Sequence, residues 1–112
     1  MTNTYFDQDK LVEIVLVSLK NNNAEEIITI DLRGRSSMSD HLIIATGKSQ
    51  RHTITMTNHL TRTLKQHGLN SSTEGMVQGD WVLIDADSII ICLFRSEVRK
   101  LYNLEGIWNI PN

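Results

Sequence analysis

Residues 79–94, which read GDWVLIDADSIIICLF, decide the fold of this 112-residue chain. In the first half of this stretch, Val82 and Ile84 point to one side of a strand and the residues between them point to the other. The second half, residues 89–94, is an unbroken apolar run rich in β-branched side chains, which favours a strand buried on both faces. The polar break at residues 85–88 predicts a turn. We therefore predict a β-hairpin with one half-buried and one fully buried strand.

Further strands and helices are predicted on both sides of this hairpin. In chain order, we expect a helix over residues 7–19, strands over 27–32 and 42–45, a helix over 49–67, a short strand near 72–75 and one or two short helices from Ser96 onward. Residues 53–57 alternate like a strand, but no glycine or proline interrupts 49–67, which is too long for a usual strand. The predicted fold class is α/β, with a mixed sheet of three to five strands covered by helices and a helical C-terminal tail.

Composition indicates one globular domain over residues 1–112. Hydrophobic residues make up 40% and charged residues 21%, with one proline and six glycines, as in an ordinary globular protein. The longest apolar run is too short to cross a bilayer, and two acids precede the first lysine, so we expect neither a membrane helix nor a signal peptide. The single cysteine, Cys92, has no disulfide partner and suits a reducing compartment, so we expect a cytoplasmic protein.

Charge is unevenly distributed along the chain. The formal net charge of −2 excludes a strongly basic nucleic-acid-binding domain. The segment 33–65 carries basic residues with one acid, Asp40; the basic residues are Arg33, Arg35, Lys48, Arg51, Arg62 and Lys65. The segment 74–91 carries acids and no base; the acids are Glu74, Asp80, Asp85 and Asp87. The hairpin is therefore an acidic feature on a chain whose middle is basic.

Few residues suggest chemistry. Asp85 and Asp87 have the Asp-x-Asp spacing that holds magnesium in nucleotidyl-transferring enzymes, and residues 47–49, Gly-Lys-Ser, resemble a phosphate loop, but the two lie far apart in sequence. Zinc ligation is not expected, because the histidines have no partner at zinc spacing; they are His41, His52, His59 and His67. Cys92 in a buried strand is expected to be inert. We predict no catalytic residue, no metal and no cofactor, and we keep a magnesium-dependent nucleotidyltransferase-like enzyme as the alternative function.

Trp81 is the residue most suited to binding a partner. It lies either between sheet and helix, as a core tryptophan, or at the surface, as an anchor for another protein. In the second case the nearby acids, Asp85 and Asp87, steer a basic partner toward the hairpin.

Five separated motifs resemble the ribosomal silencing factor family, also called the Iojap family. They are Asp31-Leu32-Arg33-Gly34; Ser37-Met38-Ser39-Asp40 before an apolar strand; Thr46-Gly47-Lys48-Ser49-Gln50-Arg51-His52; Asp80-Trp81 followed by apolar residues and Asp85; and the ending Arg99, Tyr102, Leu104, Glu105 and Trp108. The chain is similar to this family over about residues 25–108.

The resemblance implies a nucleotidyltransferase-like fold without the catalytic motif, and no enzymatic activity. It also implies binding to the large ribosomal subunit, through the protein numbered fourteen on its inter-subunit face, so that the small subunit cannot join and translation is repressed. The implied contact surface comprises the tryptophan and the hairpin turn with a neighbouring acid, namely Trp81, Asp85, Ala86, Asp87, Ser88 and Glu74.

Two further points concern partners. A direct contact of the segment 33–65 with ribosomal RNA is a third possibility, although no aromatic residue is interleaved there to stack on bases, so we expect no direct reading of nucleic-acid sequence. Pairing of two hairpin faces would give a homodimer that competes with ribosome binding.

The turn of the hairpin departs from the family pattern. Where the family often has a large apolar residue followed by glycine and an acid, this chain has Ala86, Asp87 and Ser88.

Overall fold

The computed structural model describes residues 8–34, 39–76 and 78–102. Its elements are α1 (Gln8–Asn21), β1 (Glu25–Asp31), β2 (His41–Gly47), α2 (Gln50–Gln66), β3 (Ser72–Glu74), β4 (Trp81–Ala86), β5 (Ile89–Arg95) and α3 (Ser96–Tyr102). The predicted order of helices and strands is confirmed. Asparagine, aspartate, serine and threonine favour helix N-caps, so the sequence also predicts Asp7 or Thr4 as the cap of the first helix. That cap and the tail after Tyr102 lie outside the described residues.

The strands form one five-stranded sheet in the order β1-β2-β5-β4-β3. The central pair, β2 and β5, is parallel, and every other neighbouring pair is antiparallel. The sheet is therefore mixed, which confirms the predicted α/β class. β5 lies between two strands and is buried along Ile89–Phe94, as its unbroken apolar sequence predicts.

Two apolar clusters lie on opposite faces of the sheet. On one face α1 and α2 pack against alternate strand residues, including Val82, Ile84 and Ala86 of β4. On the other face Cys92 and Phe94 of β5 lie among apolar residues of β1 and β2, with the partly buried Trp81, Leu83 and Val98 against them. The period-two alternation of β4 thus sends Val82 and Ile84 to the helices and Trp81 and Leu83 to the opposite face.

α2 begins and ends where the sequence predicts. The hydroxyl of Ser49 accepts a hydrogen bond from the backbone N–H of His52 at 3.0 Å, which satisfies one of the free amides of the first turn. The helix ends at the C-cap His67, before Gly68 with φ +81°. The buried face consists of Thr53, Met56, Thr57, Leu60 and Leu64. The helical spacing of its apolar residues therefore prevails over the strand-like alternation of 53–57.

α3 is fixed to the sheet by a buried arginine. Arg99 is only 6% exposed, and its guanidinium donates to the Glu26 carbonyl at 2.6 Å and to the Thr46 hydroxyl at 2.7 Å. Glu26 adopts φ +49° at an irregularity of β1 between Glu25 and Ile28. The Arg99 side chain thus joins the C-terminal helix to two strands.

The hairpin turn is shorter than predicted. β4 continues through Asp85 and Ala86, which pair with Ile90 and Ile89, so only Asp87 and Ser88 form the turn. The prediction of a break at Asp85 was wrong because the alternation of buried and exposed residues continues to Ala86, which is fully buried. No helix within the described residues is long and apolar enough to cross a membrane.

Candidate functional site

The outer side of β4 and β3 carries the candidate site. Leu83 lies beside Glu74 across the antiparallel pair, and Asp85 lies beside Ser72. We define the hairpin surface as Glu74, Trp81, Leu83, Asp85 and the turn residue Asp87. Its three acids are exposed, whereas Trp81 and Leu83 are half-buried. The strand register therefore places Glu74 and Asp85 on the same side of the sheet as Trp81, opposite to α1 and α2, and Asp87 follows at the turn.

Gly75 packs directly against the indole ring of Trp81. A Cβ atom at Gly75 would lie 2.7 Å from Cε3 and 2.8 Å from Cζ3 of the indole, and Gly75 has φ +81°. Only glycine suits both the backbone conformation and this close approach. A cleft of about 220 Å³ opens beside the ring, lined by Gly75, Gln78, Asp80 and Trp81. The indole is thus neither a fully buried core residue nor a freely moving surface residue.

Asp80 fixes the backbone at the start of β4. Its Oδ1 atom accepts hydrogen bonds from Gln50 Nε2 at 2.7 Å and from Arg95 Nε at 2.9 Å. Arg95 also pairs with Glu97 at 3.0 Å, and its backbone N–H donates to the Asp80 carbonyl at 3.1 Å. The hydrogen bond from Gln50, together with Arg95, holds the pKa of Asp80 below its ordinary value. The residue before Trp81 is therefore bound to both α2 and β5.

The Ser88 carbonyl fixes the hairpin turn to the chain before β2. It accepts hydrogen bonds from Ser39 Oγ at 2.6 Å, from the Asp40 N–H at 2.9 Å and from the His41 N–H at 3.2 Å. Asp87 takes φ +57°, a conformation that aspartate tolerates better than most residues. This arrangement fixes the backbone of the turn that carries the exposed Asp87.

Two residues predicted to contact a partner have other positions. Ala86 is fully buried against the helices, on the side of β4 opposite to Trp81. Ser88 is half-buried and acts through the backbone carbonyl described above. The prediction includes Ala86 in the partner contact surface, but the pleat turns this residue into the core, where it is fully buried.

The residues considered for nucleotidyl transfer are separated by the sheet. Asp85 pairs with Ile90 near the start of β5, whereas Gly47 pairs with Arg95 at its end. Five residues of extended strand separate these two levels by about 17 Å. Within the described residues no group of three or more histidine, cysteine, aspartate or glutamate side chains is arranged to hold a metal ion. The structure therefore does not bring Asp85 and residues 47–49 into one site.

Cys92 lies in the sheet interior. It is 6% exposed, and burial raises the pKa of its thiol to about 11. A thiol in this environment is a poor nucleophile at neutral pH. Cys92 thus has the structural position that the sequence predicts.

Three residues that support the site were not singled out from the sequence. Gln50 and Arg95 hold Asp80 across 30 and 15 residues of chain, and Gly75 lies under the indole. Gly75 has a detectable signal, since glycine next to a strand often marks a close backbone approach. Gln50 and Arg95 have no such signal, because their roles depend on partners distant in sequence.

Comparisons with known proteins show what the chain is similar to. Residues 6–111 match the family model described as "Ribosomal silencing factor during starvation". A ribosomal silencing factor from Zymomonas mobilis is 46% identical over 106 residues, which cover 94% of this chain and 80% of that protein. The corresponding protein of Haemophilus influenzae is 32% identical over 88% of this chain and 97% of its own length.

A mouse relative and a solved structure extend the comparison. The mouse protein, named "Mitochondrial assembly of ribosomal large subunit protein 1", is 30% identical over 94% of this chain, which corresponds to 46% of the mouse protein. A crystal structure of a Chromobacterium violaceum protein superimposes with a TM-score of 0.91 at 26% identity and covers 96% of this chain and 90% of that one. On the family match, the sequence identities and the shared fold together, the chain belongs to the ribosomal silencing factor family.

Proposed function

We propose that this protein binds the large ribosomal subunit through the hairpin surface and thereby prevents the small subunit from joining, which represses translation. The partner in this proposal is the protein numbered fourteen on the inter-subunit face. The mechanism is steric exclusion and needs no catalytic residue. The proposed role implies the cytoplasmic location that the sequence predicts.

One observation carries the proposal: a half-buried tryptophan is held in place on a surface that also carries three exposed carboxylates. Trp81 lies on Gly75 and follows the fixed Asp80, so little side-chain freedom is lost when a partner covers the indole. The carboxylates of Glu74, Asp85 and Asp87 complement a basic protein. Tryptophans in such positions often contribute much of the binding free energy of an interface.

The names of relatives support the large subunit as the target. The mouse relative is named for assembly of the ribosomal large subunit, and the bacterial relatives are named ribosomal silencing factors. A contact of standard size, about 1,600 Å² in total, suffices to hold one domain of this size on a ribosomal surface.

Cosedimentation with separated ribosomal subunits tests the proposal. The wild-type protein is expected to migrate with the large subunit alone and to reduce the fraction of joined ribosomes. Trp81→Ala should weaken large-subunit binding by about 2 kcal/mol, roughly 30-fold, because it removes the anchor from the interface. Unchanged affinity of a folded Trp81→Ala variant would contradict the assignment of the anchor.

A charge-matched pair of variants tests the acids. Asp85→Asn with Asp87→Asn should slow association with the large subunit, because complementary charges mainly raise the association rate. Glu13→Gln with Glu25→Gln, two exposed acids of α1 and β1, is the control with the same change in net charge. Equal rates for both double variants would remove the steering role of the hairpin acids.

Sedimentation velocity of the protein alone tests homodimer formation through the hairpin surface. If this surface pairs with a second copy, Trp81→Ala should shift the protein toward the monomer. A dimer that is insensitive to Trp81→Ala would exclude the hairpin surface as its interface.

A further inference from the structure

The outward face of α2 carries three exposed cations. Arg51, Arg62 and Lys65 are exposed, and with Thr55 and Asn58 they are spaced four, three, four and three residues apart. This spacing keeps all five on one side of the helix, opposite to the buried face. We call these five residues the α2 ridge. It extends about 21 Å along the helix axis.

The charge of the ridge has no compensation within the described structure. The seventeen-residue sequence of α2 contains no aspartate or glutamate. By contrast, Arg33 pairs with Asp31, and Arg95 pairs with Asp80 and Glu97. No hydrogen bond or ion pair with another described residue is found for the side chains of Arg51, Arg62 and Lys65. These cations therefore remain available to an anionic partner.

A polar cleft adjoins the C-terminal half of the ridge. It has a volume of about 500 Å³, and its lining includes Asn58, Arg62, Lys65, Asn70 and Ser71. Two cations together with amide and hydroxyl groups are the donors that proteins use to contact phosphate and sugar oxygens. No aromatic residue lines the cleft, so its chemistry favours a nucleic-acid backbone over stacked bases.

The cleft and the hairpin surface meet at the same edge of the sheet. Ser71, directly before β3, lines the cleft, and Glu74, the last residue of β3, belongs to the hairpin surface. This separation is about 10 Å along an extended chain. The ridge lies on the α2 side of the sheet and the hairpin surface on the other side, so a ribosomal surface that contacts both must extend around the β3 edge.

We propose that the α2 ridge and its cleft bind the phosphodiester backbone of ribosomal RNA next to the protein contacted by the hairpin surface. The inference rests on the proposed function, because it takes the large subunit as the target. The inference adds a basic contact with the large subunit to the contact made by the acidic hairpin surface. The acidic hairpin surface contacts basic protein, while the ridge contacts RNA phosphates without reading the base sequence.

The salt dependence of large-subunit binding tests the ridge. Arg62→Gln with Lys65→Gln should reduce affinity about tenfold at low salt. Between about 50 and 200 mM KCl it should also make the slope of log affinity against log salt shallower by nearly two, since each phosphate contact contributes about 0.9. Lys10→Gln with Lys20→Gln on α1 is the charge-matched control and should keep the wild-type slope. A wild-type slope in the ridge variant would overturn the proposal.

A second probe separates the failure of this proposal from failure of the proposed function. Trp81→Ala should weaken large-subunit binding while keeping the salt slope of the remaining binding. A fluorescein-labelled RNA duplex should bind the wild type, Trp81→Ala and the α1 control at low salt, and should bind the ridge variant at least fivefold more weakly. Failure of the wild type to bind this duplex would overturn the ridge proposal, whereas duplex binding without large-subunit binding would overturn the proposed function alone.

Tethered cleavage identifies the class of molecule on the ridge. Asn58→Cys carrying an iron chelate should cut the RNA of bound large subunits, because Asn58 lies on the ridge and lines the cleft. Lys20→Cys with the same chelate is the control on α1 and should leave the RNA intact. Cys92 does not interfere, since it is buried. Cuts in a ribosomal protein without cuts in RNA would overturn the proposal in favour of an acidic protein segment.

Discussion

At the scale of single residues, Gly75 determines how Trp81 is presented. The glycine has φ +81° and lies directly against the six-membered part of the indole. Gly75→Ala should displace the ring and lower the free energy of unfolding by about 1 to 3 kcal/mol, because a non-glycine residue is strained there and its Cβ meets the ring. Large-subunit binding should fall as it does for Trp81→Ala.

Gly68→Ala separates the effect of backbone strain from the effect of the contact with the indole ring. Gly68 has the same φ of +81°, but no atom lies within 4 Å of the position where its Cβ would be. This variant should lose stability through backbone strain and keep the affinity of the wild type. Urea unfolding and large-subunit cosedimentation of both variants provide the comparison, and full affinity of Gly75→Ala would contradict the supporting role of Gly75.

At the scale of secondary-structure elements, Asp80 joins β4 to α2 and β5. Because its pKa is lowered in the folded protein, the ionised carboxylate stabilises the fold above the ordinary carboxyl pKa of about 3.9. This contribution is lost as the pH falls through the lower pKa of the folded state. Asp80→Asn should therefore be less stable than the wild type at neutral pH, and the difference should shrink below about pH 4.

Urea unfolding from about pH 7 to pH 2 checks this expectation. Gln50→Ala is a useful second variant, since it keeps the carboxylate but removes its hydrogen bond at 2.7 Å. The pH dependence of its stability should lie between those of the wild type and Asp80→Asn. A stability difference between Asp80→Asn and wild type that stays constant over this pH range would show that the carboxylate charge is not what Gln50 and Arg95 stabilise.

The position of α3 depends on the hydrogen bonds of Arg99, as the start of β4 depends on those of Asp80. Arg99→Met removes a charged donor from the Glu26 carbonyl and the Thr46 hydroxyl. We expect a loss of about 3 kcal/mol in the free energy of unfolding, because two hydrogen bonds from a charged group are lost and the Thr46 hydroxyl stays buried. Lys100→Met, at the exposed neighbouring position of α3, is the matched control. Equal stability of the two variants in thermal or urea unfolding would refute this role.

The sequence predicts these elements better than it predicts their connections. Local periodicity correctly identifies the hairpin strands and α2, since each depends on neighbours within a few residues. The turn boundary is misplaced by two residues because Asp85 and Asp87 look alike in sequence, while only the pairing of Ala86 with Ile89 shows where the strand ends. Arg99 belongs to one of the sequence motifs, but its contacts lie 73 and 53 residues away in sequence, beyond any local pattern.

The sequence predicts the candidate site in part, as it does the fold. The sequence identifies Trp81 and the acids of the hairpin, because a tryptophan and carboxylates on one side of a strand are unusual in a simple core strand. It does not reveal that Ala86 faces the helices once β4 is extended, nor that Gly75 lies under the indole. Both depend on where β4 ends and on the backbone conformation at Gly75, and the residue pattern alone fixes neither.

At the scale of the whole molecule, the rate at which Cys92 reacts with a thiol reagent measures unfolding of the sheet. Its thiol is buried in β5 with a pKa of about 11, so a thiol reagent near pH 8 should react slowly with the native protein. Labelling should accelerate in urea in parallel with the unfolding transition, because the thiol becomes accessible only when the sheet opens. Rapid stoichiometric labelling of the native protein would contradict the buried position.

The position of β5 also bears on the kinetics of folding. The sheet places this late strand between β2 and β4, and its parallel partner β2 lies nearly half the chain earlier. Such non-local pairing requires the closure of a long loop before the central contacts form, and it slows folding relative to proteins rich in local contacts. During synthesis, β1 to β4 emerge without the strand that joins the two halves of the sheet. The sheet therefore gains its central strand only after residue 95 has left the ribosome.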